Sequence, residues 1–313
     1  MLSKIEMRDA FLDALYELAR KDRRVMLLSD DFGAPSLDKF RADMPEQYIN
    51  VGISEQNMIS AAAGLSLEGK IVFVYAIAPF ITLRCYEQIK IDLCTMNLQV
   101  TLLGVGAGYS YDSAGPTHHA IEDVSIMRVL PNMSVWCPST PVVAARCAEY
   151  AYKTPGPKYI RLERGKLPLL YDEKMTLDDG FGVLREGSDL NIIATGIMTH
   201  VALEASDKLK QHSVSAGVVD LYRIKPVDNP LFENIIKRSK RLITLEEHLI
   251  TGGIGSLVAE AAVDGGIMKP VRRLGIREDI CFQYAKRKYA HEACRLDADS
   301  VTGEILSWIG DRG

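Results

Sequence analysis

The sequence predicts an α/β protein made of two consecutive domains, and three observations carry that prediction. Short apolar runs recur along the chain, bounded by Gly, Pro and acids, with segments of helical periodicity between them. The runs are continuously apolar rather than alternating, as in parallel sheets covered on both faces. From Thr176 to Gly180 the composition turns polar and the pattern restarts, which places one domain at 1–175 and a second at 180–313. A length of 313 residues accommodates both.

Residues 3–20 read as an amphipathic helix, with Ile5, Leu12, Leu15, Tyr16 and Ala19 at helical spacing. Arg24–Ser29 is an apolar strand ending in Asp30-Asp31, followed by a loop with Gly33 and Pro35. Acids at the end of a buried strand serve either as ligand contacts or as solvated loop carboxylates. The stretch YINVGISEQNMISAAAG, Tyr48–Gly64, reads as a strand, a tight turn at Gly52 and a helix beginning at Ser54-Glu55-Gln56. The small apolar residues Ala61, Ala62, Ala63 and Gly64 predict a closely packed, buried helix that carries Glu55 toward the interior. On its own, Glu55 also reads as an acid complementing the helix dipole.

A strand over Lys70–Ala78 is ended by Pro79-Phe80, and a helix follows over Thr82–Met96. The strand Gln99–Val105 runs into the loop GAGYSYDSAGPTHHA. Helices at Ile121–Leu130 and Thr140–Tyr152 flank the strand Ser134–Cys137, and Tyr159–Arg161 leads into Glu163-Arg164-Gly165. The second domain reads as strands at Asp189–Thr195, Ala216–Asp220 and Arg241–Glu246, with helices at Met198–Gln211, Asn229–Ser239 and Gly255–Asp264.

Composition excludes several classes. The 47% hydrophobic and 25% charged content is that of a globular protein, and a net charge of −4 lacks the basic stripe of a nucleic-acid binder. No apolar run reaches the ~18 residues of a membrane span, nor does the amphipathic N-terminus resemble a signal peptide, so a cytoplasmic location is expected. Six cysteines without a C-x-x-C pair signal neither a zinc site nor a disulfide framework. His118 and His119 lack metal-site spacing. His118, in a loop after a buried strand, reads either as a polar contact to a substrate oxygen or as a histidine bonded to nearby backbone. Arg164 reads as a grip for phosphate or carboxylate, or as an ion-pair partner of Glu163. Gly252, Gly253 and Gly255 fit a helix cap and tight turn better than a phosphate loop, and His248 reads as structural.

The segment YINVGISEQNMISAAAG resembles the transketolase family of thiamine-diphosphate enzymes. PFITLRCYEQI, GPTHHAIEDVSIMRVLPNMSVWCPST, YIRLERGKLP and TLEEHLITGGIGSLVAE agree with the family in the same order, so the likeness spans about Ser29 to Glu260. It is a likeness to the pyrimidine-binding domain followed by the C-terminal domain, without the family's diphosphate-binding domain. The resemblance therefore implies the small subunit of a split transketolase. Its partner would be a separate N-terminal subunit that mainly holds magnesium and the diphosphate, and the assembly would be a heterotetramer with the site between subunits.

On the same resemblance Glu55 is the catalytic glutamate that hydrogen-bonds N1′ of the aminopyrimidine, and Phe80 flanks that ring. His118 would contact the donor carbonyl, Arg164 the substrate phosphate, and Asp31 the neighbourhood of the cofactor. Three departures stand out: Ala114 replaces a sugar-binding Asp, the Gly106 region replaces a phosphate-contacting His, and Ile77 replaces the first of two aromatics near the pyrimidine. Losing a hydroxyl partner relaxes discrimination, which implies a substrate unlike the standard pentose phosphates, with Asp112 a candidate to compensate. The implied activity is transfer of a two-carbon ketol unit from a ketose to an aldose. The alternatives are condensation of pyruvate with an aldehyde, as in 1-deoxy-D-xylulose-5-phosphate synthase, and a non-catalytic scaffold subunit.

Overall fold

A computed structural model describes residues 5–31, 33–227, 230–277 and 286–310. Two mostly parallel sheets form the framework, each with one antiparallel edge strand.

The first half runs α1 (Met7–Ala19), β1 (Val25–Ser29), α2 (Pro35–Asp43), β2 (Tyr48–Asn50), α3 (Glu55–Leu67) and β3 (Ile71–Ile77). It continues with α4 (Ala78–Thr82), α5 (Tyr86–Gln88), β4 (Val100–Val105), α6 (Asp123–Val129), β5 (Ser134–Trp136), α7 (Pro141–Lys153) and β6 (Lys158–Leu162). The second half adds β7 (Gly182–Arg185), β8 (Leu190–Ala194), α8 (Met198–Gln211), β9 (Ala216–Asp220), β10 (Arg223–Lys225), α9 (Pro230–Arg238) and β11 (Leu242–Leu249). It ends with α10 (Ile254–Asp264), β12 (Val271–Ile276), α11 (Arg287–Ala293) and α12 (Ala298–Gly310).

The first sheet has the order β10-β5-β6-β4-β3-β1-β2, and the second β12-β11-β8-β9-β7. Strands β1, β3, β4 and β6 are buried along their whole length, as the continuous apolar runs require. Alternate residues of β3 feed opposite cores. Val72 and Val74 pack with Met58, Ile59 and Leu102, while Phe73 and Tyr75 pack with Phe11, Phe40 and Ile160.

The region of Pro35 is helical rather than loop, because Pro sits at the first turn of α2, where its missing N–H costs nothing. The helix expected over 82–96 is broken: α4 starts directly after β3 with Pro79 in its first turn, a non-helical turn intervenes at 83–85, and the segment ends in a π-helical stretch, Ile89–Thr95. Helix α3 is not buried all round. Glu55, Met58, Ile59, Ala62 and Ala63 face the sheet, whereas Ala61 and Gly64 are exposed, because 3.6-residue periodicity turns them outward. Strand β11 continues past Glu246 to Leu249. Strand β10, three residues long, leaves the second half and joins the first sheet antiparallel to β5, so one sheet draws on both halves.

The halves also meet through buried polar contacts. His248 donates from Nδ1 to the Leu249 carbonyl (2.7 Å) and accepts the Ser125 N–H at Nε2 (3.3 Å). Glu246 caps α10, accepting the N–H groups of Ile254 (2.8 Å) and Gly255 (2.9 Å). A Cβ on Gly253 would lie 1.9 Å from that carboxylate, so a glycine there serves this cap. Among the described residues no helix is long and apolar enough to cross a membrane. Cys85, Cys94, Cys137 and Cys147 are free thiols; Cys281 lies outside the described residues.

Burial pushes the His248 imidazole down to about 4, against an ordinary 6.5. A depressed folded-state value means that the stability it contributes is present above pH 6.5 and lost as pH falls toward 4. Urea denaturation across that window should show a loss of about 3 kcal/mol from this residue. In His248→Gln the slope should flatten.

Candidate active site

The parallel strands of the first sheet deliver their carboxyl ends to one edge, where crevices form in open α/β sheets. Asp30 and Asp31 end β1, Ile77 ends β3, the loop 106–120 follows β4, and Glu163-Arg164 follow β6.

Glu55 is the first residue of α3 and only 2% exposed. Its Oε1 accepts a hydrogen bond from Arg84 Nη1 at 2.7 Å. Arg84 lies in the turn between α4 and α5, and its guanidinium carbon stands 4.7 Å from the centroid of the Phe80 ring. Phe80 meets His118 edge-on, with centroids 5.0 Å apart. The Tyr111 ring, tilted by 54°, lies with its centroid 5.8 Å from that of His118. Arg164 in turn stacks over Tyr111 at 4.1 Å and donates to the Ser110 carbonyl at 3.3 Å. Glu55, Phe80, His118 and Arg164 thus fall on one continuous line, joined by two residues that sequence reasoning missed, Arg84 and Tyr111. The available signals were helical spacing of Arg84 from Phe80 and a second aromatic in GYSYDS.

His118 sits in a 3₁₀ turn, Pro116–His118, with Thr117 Oγ1 2.9 Å from its Nδ1. Partial burial lowers its pKa, which favours the neutral imidazole. His119 points the other way, buried against Tyr109 at 4.9 Å. The loop closes on itself where Gly108 and Ala120 exchange backbone hydrogen bonds of 2.9 and 3.0 Å. It is then pinned from beneath, since a Cβ on Gly108 would lie 1.9 Å from Glu247 Oε2.

Asp31, Ile77 and Asp112 lie outside that line of contacts. Asp31 is exposed in the left-handed region (φ +69°), and its Oδ1 accepts from Asn50 Nδ2 at 3.0 Å. Asn50 Oδ1 accepts the Gly52 N–H, so this pair fixes the turn that enters α3. The buried acid of the two is Asp30, close enough that it and Glu55 add to the effect of burial in raising the Cys85 thiol to about 12. Ile77 is buried at the end of β3. The Asp112 carboxylate accepts the Arg287 N–H at the start of α11 (3.1 Å).

Glu163 does not pair with Arg164. It is buried and receives Arg287 Nη2 at 2.6 Å, Ser110 Oγ at 3.1 Å and the Ile197 N–H at 3.2 Å. Arg287 also donates to Glu247, which His291 contacts in addition. Burial alone would raise the Glu247 pKa, but Arg287 and His291 override it and hold the carboxyl well below its ordinary range. This buried cluster leaves Arg164 turned outward, its guanidinium uncommitted to Glu163.

The Gly106 region has a structural reason to lack the expected histidine. Gly106 has φ +99°, and a Cβ there would lie 2.1 Å from the Tyr111 ring. The ring that carries Arg164 occupies the space a side chain would need.

Residues 3–168 match the transketolase pyrimidine-binding domain and residues 181–301 the transketolase C-terminal domain, so the chain belongs to the transketolase family. Among its relatives, one subunit of the apulose-4-phosphate transketolase of Actinobacillus succinogenes is 34% identical over 284 residues, covering 90% of this chain and 91% of the relative. The 6-deoxy-6-sulfo-D-fructose transketolase subunit SqwH of a Clostridium species is 34% identical over 292 residues, covering 90% and 89%. A solved structure described as a split-gene transketolase, an inactive beta4 tetramer, superposes with a TM-score of 0.86 at 34% identity and 97% coverage of both chains.

Gly106→Ala should destabilise the chain by about 1–3 kcal/mol in urea denaturation, through clash and left-handed backbone together. Gly33→Ala, with nothing within 4 Å of its Cβ, should change little.

Proposed function

We propose that the chain is the small, C-terminal subunit of a split, thiamine-diphosphate-dependent transketolase that moves a two-carbon ketol unit from a ketose to an aldose. The observation that carries this reading is the line Glu55–Arg84–Phe80–His118–Tyr111–Arg164 at the carboxyl ends of parallel strands. Relatives of nearly the same length are named as single subunits of transketolases, which supports the division into two chains.

The residues fit the cofactor's aminopyrimidine. A flat, cationic N–H donor already lies between the buried carboxylate and the aromatic face, so the slot accepts a planar donor of that kind. Thiamine diphosphate, when bound, supplies the carbanion and the electron sink for carbon–carbon cleavage. Glu55 would hold the ring nitrogen and share a proton at its carboxyl, an exchange favoured where water is excluded. Phe80 would fix the ring plane. His118, kept neutral by burial, would donate to or accept from an oxygen of the sugar. Arg164, aimed outward by Tyr111, would present its planar fork to a phosphate or other anionic end of the substrate.

Magnesium and the diphosphate are assigned to the partner subunit. Around α3 the chain exposes Ile53 (80%), Leu83 and Ile91, apolar surface suited to burial against another subunit in a heterotetramer. The relative described as inactive in its beta4 form fits the same requirement for a second chain.

The test is reconstitution with the large subunit, thiamine diphosphate and magnesium. Transfer of a glycolaldehyde unit from a ketose to an aldose is expected. Glu55→Gln should lower kcat by at least ~100-fold with an unchanged melting temperature. Full activity in that variant would remove Glu55 from the chemistry. Carbon dioxide release from pyruvate would instead indicate the condensing activity, and absence of cofactor binding with the partner would indicate a scaffold.

A further inference from the structure

We propose that Arg84 is an internal stand-in for the cofactor's aminopyrimidine, filling the slot between Glu55 and Phe80 until the cofactor displaces it. The inference deepens the reading above and rests on it.

The Glu55 side chain is 3% exposed, and a carboxylate so placed is costly unless a cation or a donor meets it. Arg84 meets it at 2.7 Å while its guanidinium lies on Phe80 at 4.7 Å. A guanidinium and an aminopyrimidine share the properties the slot selects: both are planar, both offer N–H in the plane, and both present a face to an aromatic ring. One carboxyl oxygen and one ring face are therefore claimed by the same kind of group, and two such groups cannot occupy them together.

Arg84 is also built to leave. Its side chain is 46% exposed, so one end of it already meets water. It sits in the non-helical turn 83–85, with α4 closing before it (Leu83 N–H to the Pro79 carbonyl, 3.0 Å) and α5 opening after it. A rotation of the side chain suffices to empty the slot, and neither helix has to unfold. Departure returns the guanidinium to solvent, while the incoming ring takes over the carboxylate. The apparent affinity for cofactor is then reduced by the fraction of molecules in which Arg84 is out.

The experiment titrates thiamine diphosphate, with magnesium, into the complex of this chain with its large subunit and reads the dissociation constant by calorimetry. Arg84→Gln should bind about tenfold more tightly than the natural chain. Arg84→Lys, which keeps the charge but loses the flat face, should fall between them. Equal or weaker binding by Arg84→Gln overturns the proposal, whereas a natural complex that binds no cofactor at all overturns the functional reading beneath it. A second measurement needs no cofactor: the rate at which a dicarbonyl reagent labels Arg84 in the full chain, located by mass spectrometry. Glu55→Gln should raise that rate several-fold, and an unchanged rate means that the pair does not hold Arg84 in place.

Discussion

A carboxylate at the first residue of α3 faces the interior, and the surrounding structure is arranged to satisfy it. Glu55 is brought there by the turn at Gly52, which Asp31 and Asn50 hold from the surface. The inner face of α3, with Met58, Ile59, Ala62 and Ala63, seats the helix on the sheet. Burial strips water from the acid, so a charged donor has to replace it, and Arg84 does so without losing its own contact with solvent. The ring contacts that extend from Phe80 to Arg164 begin at that ion pair.

The far end of the line depends on a second buried cluster. Glu163, Glu247, Arg287 and His291 join the end of β6, strand β11 and helix α11. Two carboxylates this deeply buried are tolerated because Arg287 serves both, and Asp112 ties the site loop to the start of α11. The second half of the chain, through Glu247 under Gly108 and Arg287 beside Glu163, therefore fixes the loop carrying His118 and Tyr111.

The outer face of α3 has a different character. Ala61 and Gly64 are exposed on it, and Ile53 and Ile91 stand near by. Ser60 Oγ bonds Asp92 at 2.8 Å, linking that face to the π-helical stretch. Gln56, Asn57 and Ser60 share this exposed side with Ala61 and Gly64, so it mixes small and polar residues, whereas the side toward the sheet is apolar.

The sequence by itself determined the α/β class, the parallel strands and the position of Glu55, because continuous apolar runs and a small-residue helix are local patterns. It also marked Phe80, His118 and Arg164 as residues that follow strand ends, and placed Gly252, Gly253 and Gly255 at a helix cap. Tertiary structure alone decided which of these meet. The spacing of Arg84 from Phe80 and the second aromatic of GYSYDS are weak signals, and the roles of Arg84 and Tyr111 follow from the turn after α4 and from the bare Cα of Gly106. Which acid of Asp30-Asp31 is buried depends on a left-handed φ at one residue. That β10 crosses into the first sheet, and that Glu163 turns to Arg287 instead of Arg164, depend on contacts between residues far apart in the chain, and no local pattern encodes those.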